Sequence, residues 1–342
     1  MTDHPLTQLT LVRFREFLRE PEAMFWTFIF PILIAAGLGI AFRNRPAEVL
    51  TVGVVGAELA TVLEADPSLV VEPFADVEAG ERALREGKVA LLAARGPDRA
   101  IVYRYDDTNP EGRSARMLAD EAVQLAAGRT DPVGSSDELM REPGSRYIDF
   151  LIPGLLGMTM MGGSIWSMGF SIVDARRRKL LKRLVATPMP RQYFLLSYLL
   201  SRLGMLVVEV GTILLFGTLV FGVPLRGSLV LLAALCVVGA LAFGAIGLLI
   251  STRARTIEAV SGLMNFVMLP MWVLSGVFFS SQRFPDAVQP AIKALPLTAL
   301  IDGLRANMLQ GAGLVQLAPQ FGILSVWLLV CFAVALKLFR WR

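Results

Sequence analysis

Apolar and polar positions alternate along this chain in long blocks rather than in the short periods of a soluble fold. A helix needs about 20 apolar residues to cross the hydrocarbon core of a bilayer. Six stretches reach that scale: Met24–Phe42, Ile148–Val173, Phe194–Gly222, Gly227–Ile250, Ile257–Ser280 and Gln320–Phe339. The third is long enough to tilt or to extend beyond the core. The first has 23 residues before it and no small-residue cleavage pattern after it, so it is expected to be a retained anchor.

Between the first two stretches the pattern changes. Within 43–147, Leu50–Gly56, Leu69–Val71, Lys88–Ala94 and Ala100–Tyr105 read as strands. Glu58–Ala65, Asp76–Glu86 and Glu111–Ala127 carry helical spacing, and Asp106–Pro110 is a turn with capping residues. This predicts a small α/β domain, with Thr130–Ser145 as a linker back to the membrane. The expected fold class is therefore membrane all-α, with six transmembrane helices and an inserted extracytoplasmic α/β domain. The boundaries are 1–23 for a cytoplasmic segment, 24–42 for helix 1, 43–147 for the insert and 148–342 for helices 2–6. The last region includes a cytoplasmic loop, 174–193, and an outer amphipathic segment, 281–319. Pieces of that outer segment such as Leu297–Gln310 can lie on the membrane surface or dip into it against protein.

Charge gives the orientation. Basic residues in short loops favour the cytoplasm. Fifteen fall on one side, namely Arg13, Arg15 and Arg19, seven in 174–193, Arg253 and Arg255, and Lys337, Arg340 and Arg342. Four fall on the other: Arg226, Arg283, Lys293 and Arg305. Both termini are thus expected in the cytoplasm and the insert outside. The whole chain carries +4, divided into −6 over 43–147 and +10 elsewhere. Only 18% of its 342 residues are charged, against about 25% in an ordinary soluble domain. With the basic charge at membrane edges, a nucleic-acid partner is not expected. His4 is the one histidine, and Cys236 and Cys331 both lie in apolar runs. Neither a zinc site nor a histidine-based triad can be assembled from that inventory.

The loop 174–193 (DARRRKLLKRLVATPMPRQ) carries Leu180, Leu181, Leu184 and Val185 as an apolar stripe among basic residues, closed by Thr187-Pro188. It reads as a short amphipathic helix at the membrane–cytosol boundary, in a position to touch anionic lipid. Inside the spans, Arg202 and Glu209 lie two helical turns apart, about 10 Å along the axis. That spacing is expected to be too long for a direct ion pair. Glu209 then either lines a translocation region or sits protonated against a neighbouring helix, while Arg202 is expected to reach toward the cytosolic headgroups. Met158, Met160, Met161 and Met168, with Gly162 and Gly163, offer a flexible surface to apolar substrates or ordinary packing. Asn265 is a polar residue of the fifth span. Ala240, Gly244 and Gly247 permit close helix contact of the kind used in oligomers, and Asp302 and Arg305 are spaced to pair.

Four segments in order carry a resemblance. The loop just described is similar to the cytoplasmic loop of ABC-transporter permeases of the type-2 export family. REPEAMFWTFIFPILI (19–34), YIDFLIPGLLGM (147–158) and LSGVFFSSQRFPDAVQPAIKALPLTALIDGLRANML (274–309) resemble that family's entry into its first span, its second-span opening and its segment between spans five and six. The insert resembles the outer domain of the larger members through Gly87-Lys88-Val89 and Asp107-Thr108-Asn109-Pro110. In one place the chain departs from the pattern: where the family loop often reads Glu-x-Glu-x-Gly-Thr, this chain has Arg177, Arg178, Lys179 and Leu180.

The resemblance implies a permease subunit in the bacterial inner membrane, exporting a hydrophobic or amphipathic substrate. It implies two partners, an ABC ATPase and a second permease chain, identical or paralogous. The ATPase would engage Arg177, Arg178, Leu180, Leu181, Leu184, Val185, Thr187 and Pro188, and ATP and Mg would be its cofactors, with none in this chain. Indeed Gly87-Lys88 is the only Gly-Lys pair and is followed by valine, so no phosphate-cradling loop is present. Glu209, Asn265 and Met161 are the translocation-region candidates, and membrane lipid and a periplasmic protein are further expected contacts. Two other classes remain on the residues alone. One is a membrane-anchored receptor or assembly protein using its outer domain. The other is an intramembrane enzyme, for which only Glu209 and Asn265 offer polar groups.

Overall fold

The computed structural model describes residues 4–41, 49–96, 100–130, 144, 146–179, 191–254 and 256–338. The chain divides into two compact units, one comprising 1–43 with 140–342 and the other 44–139.

The larger unit is helical. It opens with α1 (Pro5–Leu18), whose Phe14 ring packs on Gly204, where any larger residue would be displaced. A continuous helical run follows: α2 (Pro21–Met24), one π-helical stretch over Phe25–Ile29, and α3 (Phe30–Ala41).

The smaller unit runs β1 (Leu50–Val55), α4 (Ala57–Glu64), β2 (Leu69–Phe74), α5 (Val77–Arg85), β3 (Leu91–Arg95), β4 (Ile101–Arg104) and α6 (Pro110–Ala126). Its sheet has the order β2-β1-β3-β4, with β1 parallel to β2 and β3, and β4 antiparallel to β3. Alternation sends Leu50, Val52, Val54, Leu91 and Ala93 to one face, where they form a core with Leu59 and Leu63 of α4 and Ala115 and Ala119 of α6. On the other face Leu92 meets Gly80 of α5, which leaves no room for a side chain there. Asp76 and Asn109 cap α5 and α6 by accepting the N–H groups of Ala79 and Glu111.

The larger unit resumes with α7 (Tyr147–Arg177), α8 (Arg191–Phe221), α9 (Leu229–Arg253), α10 (Ile257–Leu274), a short α11 (Gln289–Lys293), α12 (Pro296–Gln310) and α13 (Leu314–Leu338). Among the described residues, five helices are long and apolar enough to cross a membrane: α7, the Leu200–Phe221 part of α8, α9, α10 and α13. Phe25–Ala41 is a shorter apolar helix of the same kind. The helices are apolar on the outside as well: Val207 and Leu219 on α8, Phe266 on α10 and Leu329 on α13 are exposed. Such outward faces suit a lipid solvent.

The core centres on α7, which is enclosed along most of its length, with Leu151, Ile152, Leu155, Leu156, Met160, Met161 and Ile165 all fully buried. Glycines set its neighbours' distance. Gly157 receives Ile301 of α12, and Gly247 of α9 lies against the backbone of Ile165. The small residues of the fourth span therefore seat α9 on α7 within one chain, and that contact needs no second copy.

In the segment 281–319, Leu297, Leu300, Ile301, Leu304 and Met308 of α12 are buried against the bundle, so this helix packs into the larger unit. Pro319, expected to end that segment, lies inside α13, which begins at Leu314.

Candidate functional site

Three places in the larger unit gather polar groups where apolar ones would be the default. The first is the cytoplasm-side end of α7 as read from the sequence. Arg178 pairs with Asp174 one turn back, at 2.8 Å, and Arg177 is exposed beside it. Arg176 turns the other way and donates through Nη1 to the carbonyls of Ser251 and Ala254, at 3.2 and 3.3 Å. Those carbonyls close α9, where helical partners run out. Leu180, Leu181, Leu184, Val185, Thr187 and Pro188 fall outside the described residues.

The second is at the middle of α8. Arg202 and Glu209 form a direct ion pair, Nη1 to Oε2 at 3.0 Å, with side-chain exposures of 8% and 1%. This corrects two expectations, that the spacing is too long and that Arg202 reaches the headgroups. The separation along the axis is spanned because two long side chains share it. Glutamate leans toward the helix N-terminus, as Cα–Cβ bonds do, and arginine extends to meet it. The guanidinium is also held by α7, where Nε donates to Ser164 Oγ at 3.0 Å and Nη2 to the Met160 carbonyl at 3.2 Å. It lies flat over Gly163, where an added Cβ would sit 2.8 Å from Nη1. A charged donor with carbonyl, hydroxyl and carboxylate partners is satisfied without water, which is what burial between helices requires. Neither Glu209 oxygen has a hydrogen bond of good geometry, so its attachment is electrostatic.

The third is the N-terminal end of α7. Asp149 is fully buried and takes a two-point bond from Arg146, at 2.9 and 2.8 Å. That bond holds the Arg146 guanidinium above its usual pKa, burial working against it. Arg305 of α12 stacks on the Phe150 ring, 3.5 Å from its centroid, and donates to the carbonyls of Phe150 and Gly276. Its donors go to backbone carbonyls and not to Asp302, the partner its spacing suggested. Tyr147 donates to the Phe278 carbonyl at 3.0 Å.

The translocation-region candidates do not come together in one site. Glu209 and Met161 are buried in helix packing, whereas Asn265 is exposed on the outward face of α10. Among the described residues no group of histidine, cysteine and carboxylate side chains could hold a metal ion. Sequence reading missed Ser164, Arg176 and the Arg305–Phe150 stack. The glycine pair at 162–163 was the available signal for the first, since a bare backbone opposite an intramembrane arginine is a place for that arginine to lie.

Among the described residues, five helices long and apolar enough to cross a membrane, beside a compact α/β unit, mark the class as a polytopic membrane protein. A family model described as ABC-2 family transporter protein matches residues 22–337. The chain belongs to that family, and is a permease subunit of an ABC transporter.

Related proteins agree with this. Over 204 residues it is 28% identical to the inner membrane transport permease YadH of Escherichia coli K12, covering 58% of this chain and 76% of that protein. Over 172 residues it is 30% identical to the probable multidrug ABC transporter permease YbhS of the same strain, covering 47% and 43%. Over 195 residues it is 27% identical to ABC transporter G family member 20 of Dictyostelium discoideum, covering 56% and 27%. Membership implies an ABC ATPase partner and a dimeric arrangement in general terms.

Proposed function

We propose that this chain crosses the inner membrane six times, both termini in the cytoplasm and the α/β unit outside, and exports a hydrophobic or amphipathic substrate. ATP and Mg act in a separate ATPase chain, which grips the segment from Arg177 to Pro188. Binding and hydrolysis there shift the permease between two states by differential affinity. The observation that carries this reading is the place of α7. It is the helix that leads into that segment and also the most enclosed of the five membrane-length helices, with 18 of its 31 residues buried. A push on the loop therefore enters the centre of the structure directly.

A second permease chain, identical or paralogous, completes the path. The exposed Asn265 face of α10 supports a place for that path between the two chains, since an amide at mid-span is costly against lipid. Glu209 and Met161 serve the translocation region from within the packing, not as lining. The basic loop residues rest against anionic lipid, and the outer unit is available to a periplasmic protein.

Co-purification with a candidate ATPase tests the coupling, using the double variant Leu181→Asp/Leu184→Asp. Binding and ATP-driven uptake of a fluorescent amphiphile into inverted vesicles are expected to be lost together. Retention of both in the double variant removes the coupling role of the loop. Uptake only into right-side-out vesicles reverses the direction.

A further inference from the structure

Helix α10 is fastened differently along its length. Just past its outer end, Gly276 takes a 2.6 Å bond from Arg305 and Phe278 one from Tyr147. The Val277 backbone there rests on Gly154 of α7 so closely that a Cβ has no room. At its other end, Thr256 caps the helix through the Ala259 N–H at 3.2 Å, and the short joint 254–256 leads back to α9, whose last turn Arg176 holds. The C-terminal end is thus tied across helices by polar bonds and backbone contact, and the other end by its short covalent connection to the held end of α9.

The middle is not. Of the eighteen residues of α10, four are buried, Val260, Met264, Met268 and Met271, so methionine supplies three of the four. They face a bare strip of α7, where the Met264 methyl fills the space over Gly169 and the Met268 methyl lies 3.6 Å from where a Cβ on Gly162 would be. Pro270 sits between Met268 and Met271 and removes one helical hydrogen bond. Methionine adapts its three torsions at little cost and makes dispersive contacts only.

We infer that α10 is the bowing element of this permease: fixed at both ends, it parts from α7 and reseats on it across the methionine seam, with Pro270 as the bend. The inference deepens the export reading by naming the helix that changes shape. Its geometry is independent of the ATPase.

Pulsed electron-paramagnetic distance measurements on the full chain in lipid nanodiscs test it. Labels go on introduced cysteines at exposed positions, with Cys236 and Cys331 replaced by alanine, and the sample is diluted with unlabelled chain to isolate intrachain distances. The pair Phe266–Leu329 reads the middle of α10 against α13. Phe279–Leu314 reads the outer end, and Glu258–Leu338 the other. The middle pair is expected to give a distribution about twofold broader than either end pair. The triple variant Met264→Leu/Met268→Leu/Met271→Leu keeps volume but loses adaptability. It is expected to narrow the middle pair to the width of the ends and leave the ends unchanged. Pro270→Ala is the second variant, expected to narrow the middle pair also, and decides the matter if the triple variant does not fold. A middle pair as narrow as the ends overturns the inference, as does a broad middle pair that a folded variant leaves unchanged. Either result leaves ATPase co-purification untouched, so failure here is distinct from failure of the export reading.

Discussion

Replacing Arg202 by methionine would leave the Glu209 carboxylate 1% exposed, with no cation opposite it. At 3.0 Å the pair's gross attraction is about 5–6 kcal/mol for an effective dielectric of about 20. Desolvation of both groups offsets much of that. Breaking a buried pair from one side typically costs about 3–5 kcal/mol, because the remaining charge stays buried. Arg202→Met also gives up the bonds to Ser164 and the Met160 carbonyl, so it belongs at the upper part of that range. Glu209→Leu leaves the guanidinium still bonded to α7, and is expected to cost less, about 2–3 kcal/mol. The double variant Arg202→Met/Glu209→Leu buries no charge, and exchange of a whole buried pair for apolar groups is often close to neutral. The cycle is read from reversible unfolding in mixed micelles, one free energy for each of the four proteins. The double variant should be less destabilised than Arg202→Met alone, which requires a coupling energy of at least about 2 kcal/mol. Additive single effects, within about 0.5 kcal/mol, would refute a directly coupled pair.

Two further outcomes follow from contacts elsewhere. Gly154→Ala puts a methyl group into the Val277 carbonyl, whose backbone cannot yield as a side-chain tip can, so a loss of about 1–3 kcal/mol is expected in the same unfolding assay; no loss would mean that the α7 contact with 275–278 is loose. In the α/β unit, burial first and then the charge of Asp120 push the Tyr103 phenol up from 10.0 to about 12. A raised phenol favours the folded state while protonated, so its contribution is complete below about pH 10 and is lost as pH rises toward about 12. The phenolate absorbance of the wild type minus that of Tyr103→Phe should titrate near pH 12, and a midpoint near 10 would refute the burial.

The elements were legible where one physical signal dominated. Hydrophobic length marked the cores of α7, α8, α9 and α10, and period-two alternation with capping residues marked β1, α5 and α6. Boundaries slipped where the signal weakened: α13 starts six residues before the expected Gln320 because Pro319 fits within its second turn, whereas a proline inside a stretch reads as an interruption. The α12 helix carries Asp302 and Arg305, so composition alone leaves its depth open; its burial comes from Gly157 and Gly239, which give Ile301 and Leu300 a place to enter. At the candidate site, residue types were readable and partners were not. Glu209 stands out in any reading as an intramembrane carboxylate. Helix rise alone hides its partner, because side-chain reach closes the remaining distance. Asn265 and Glu209 are both polar and mid-span, yet one faces outward and the other inward, which only the packing of α8 and α10 against α7 decides.

Three of the larger unit's arginines share a logic that bears on how the bundle moves. The last carbonyls of a helix lack intrahelical partners and carry the negative end of its dipole, and lipid offers no water to satisfy them. Arg146 donates to Gly222, just past the end of α8. Arg176 donates to Ser251 and Ala254 at the end of α9. Arg305 donates to Gly276, just past the end of α10, while its second bond goes to the Phe150 carbonyl of α7. Each of the three helices that follow α7 is therefore held at its C-terminus; two of these ties begin on α7 or its cap, and Arg305 of α12 links the third to α7 through Phe150. Helices secured only at their C-termini would be free to swing from the opposite end. For α8 the Arg202 bond to Ser164 removes that freedom partway along, and for α9 the Gly247 contact with Ile165 does the same. On α10 the corresponding stretch carries only methionine against glycine. Of the three, α10 is thus the helix whose middle can part from α7 without breaking a buried polar bond or a close backbone contact, and so the one through which a displacement of α7 changes the shape of the surface that Asn265 presents.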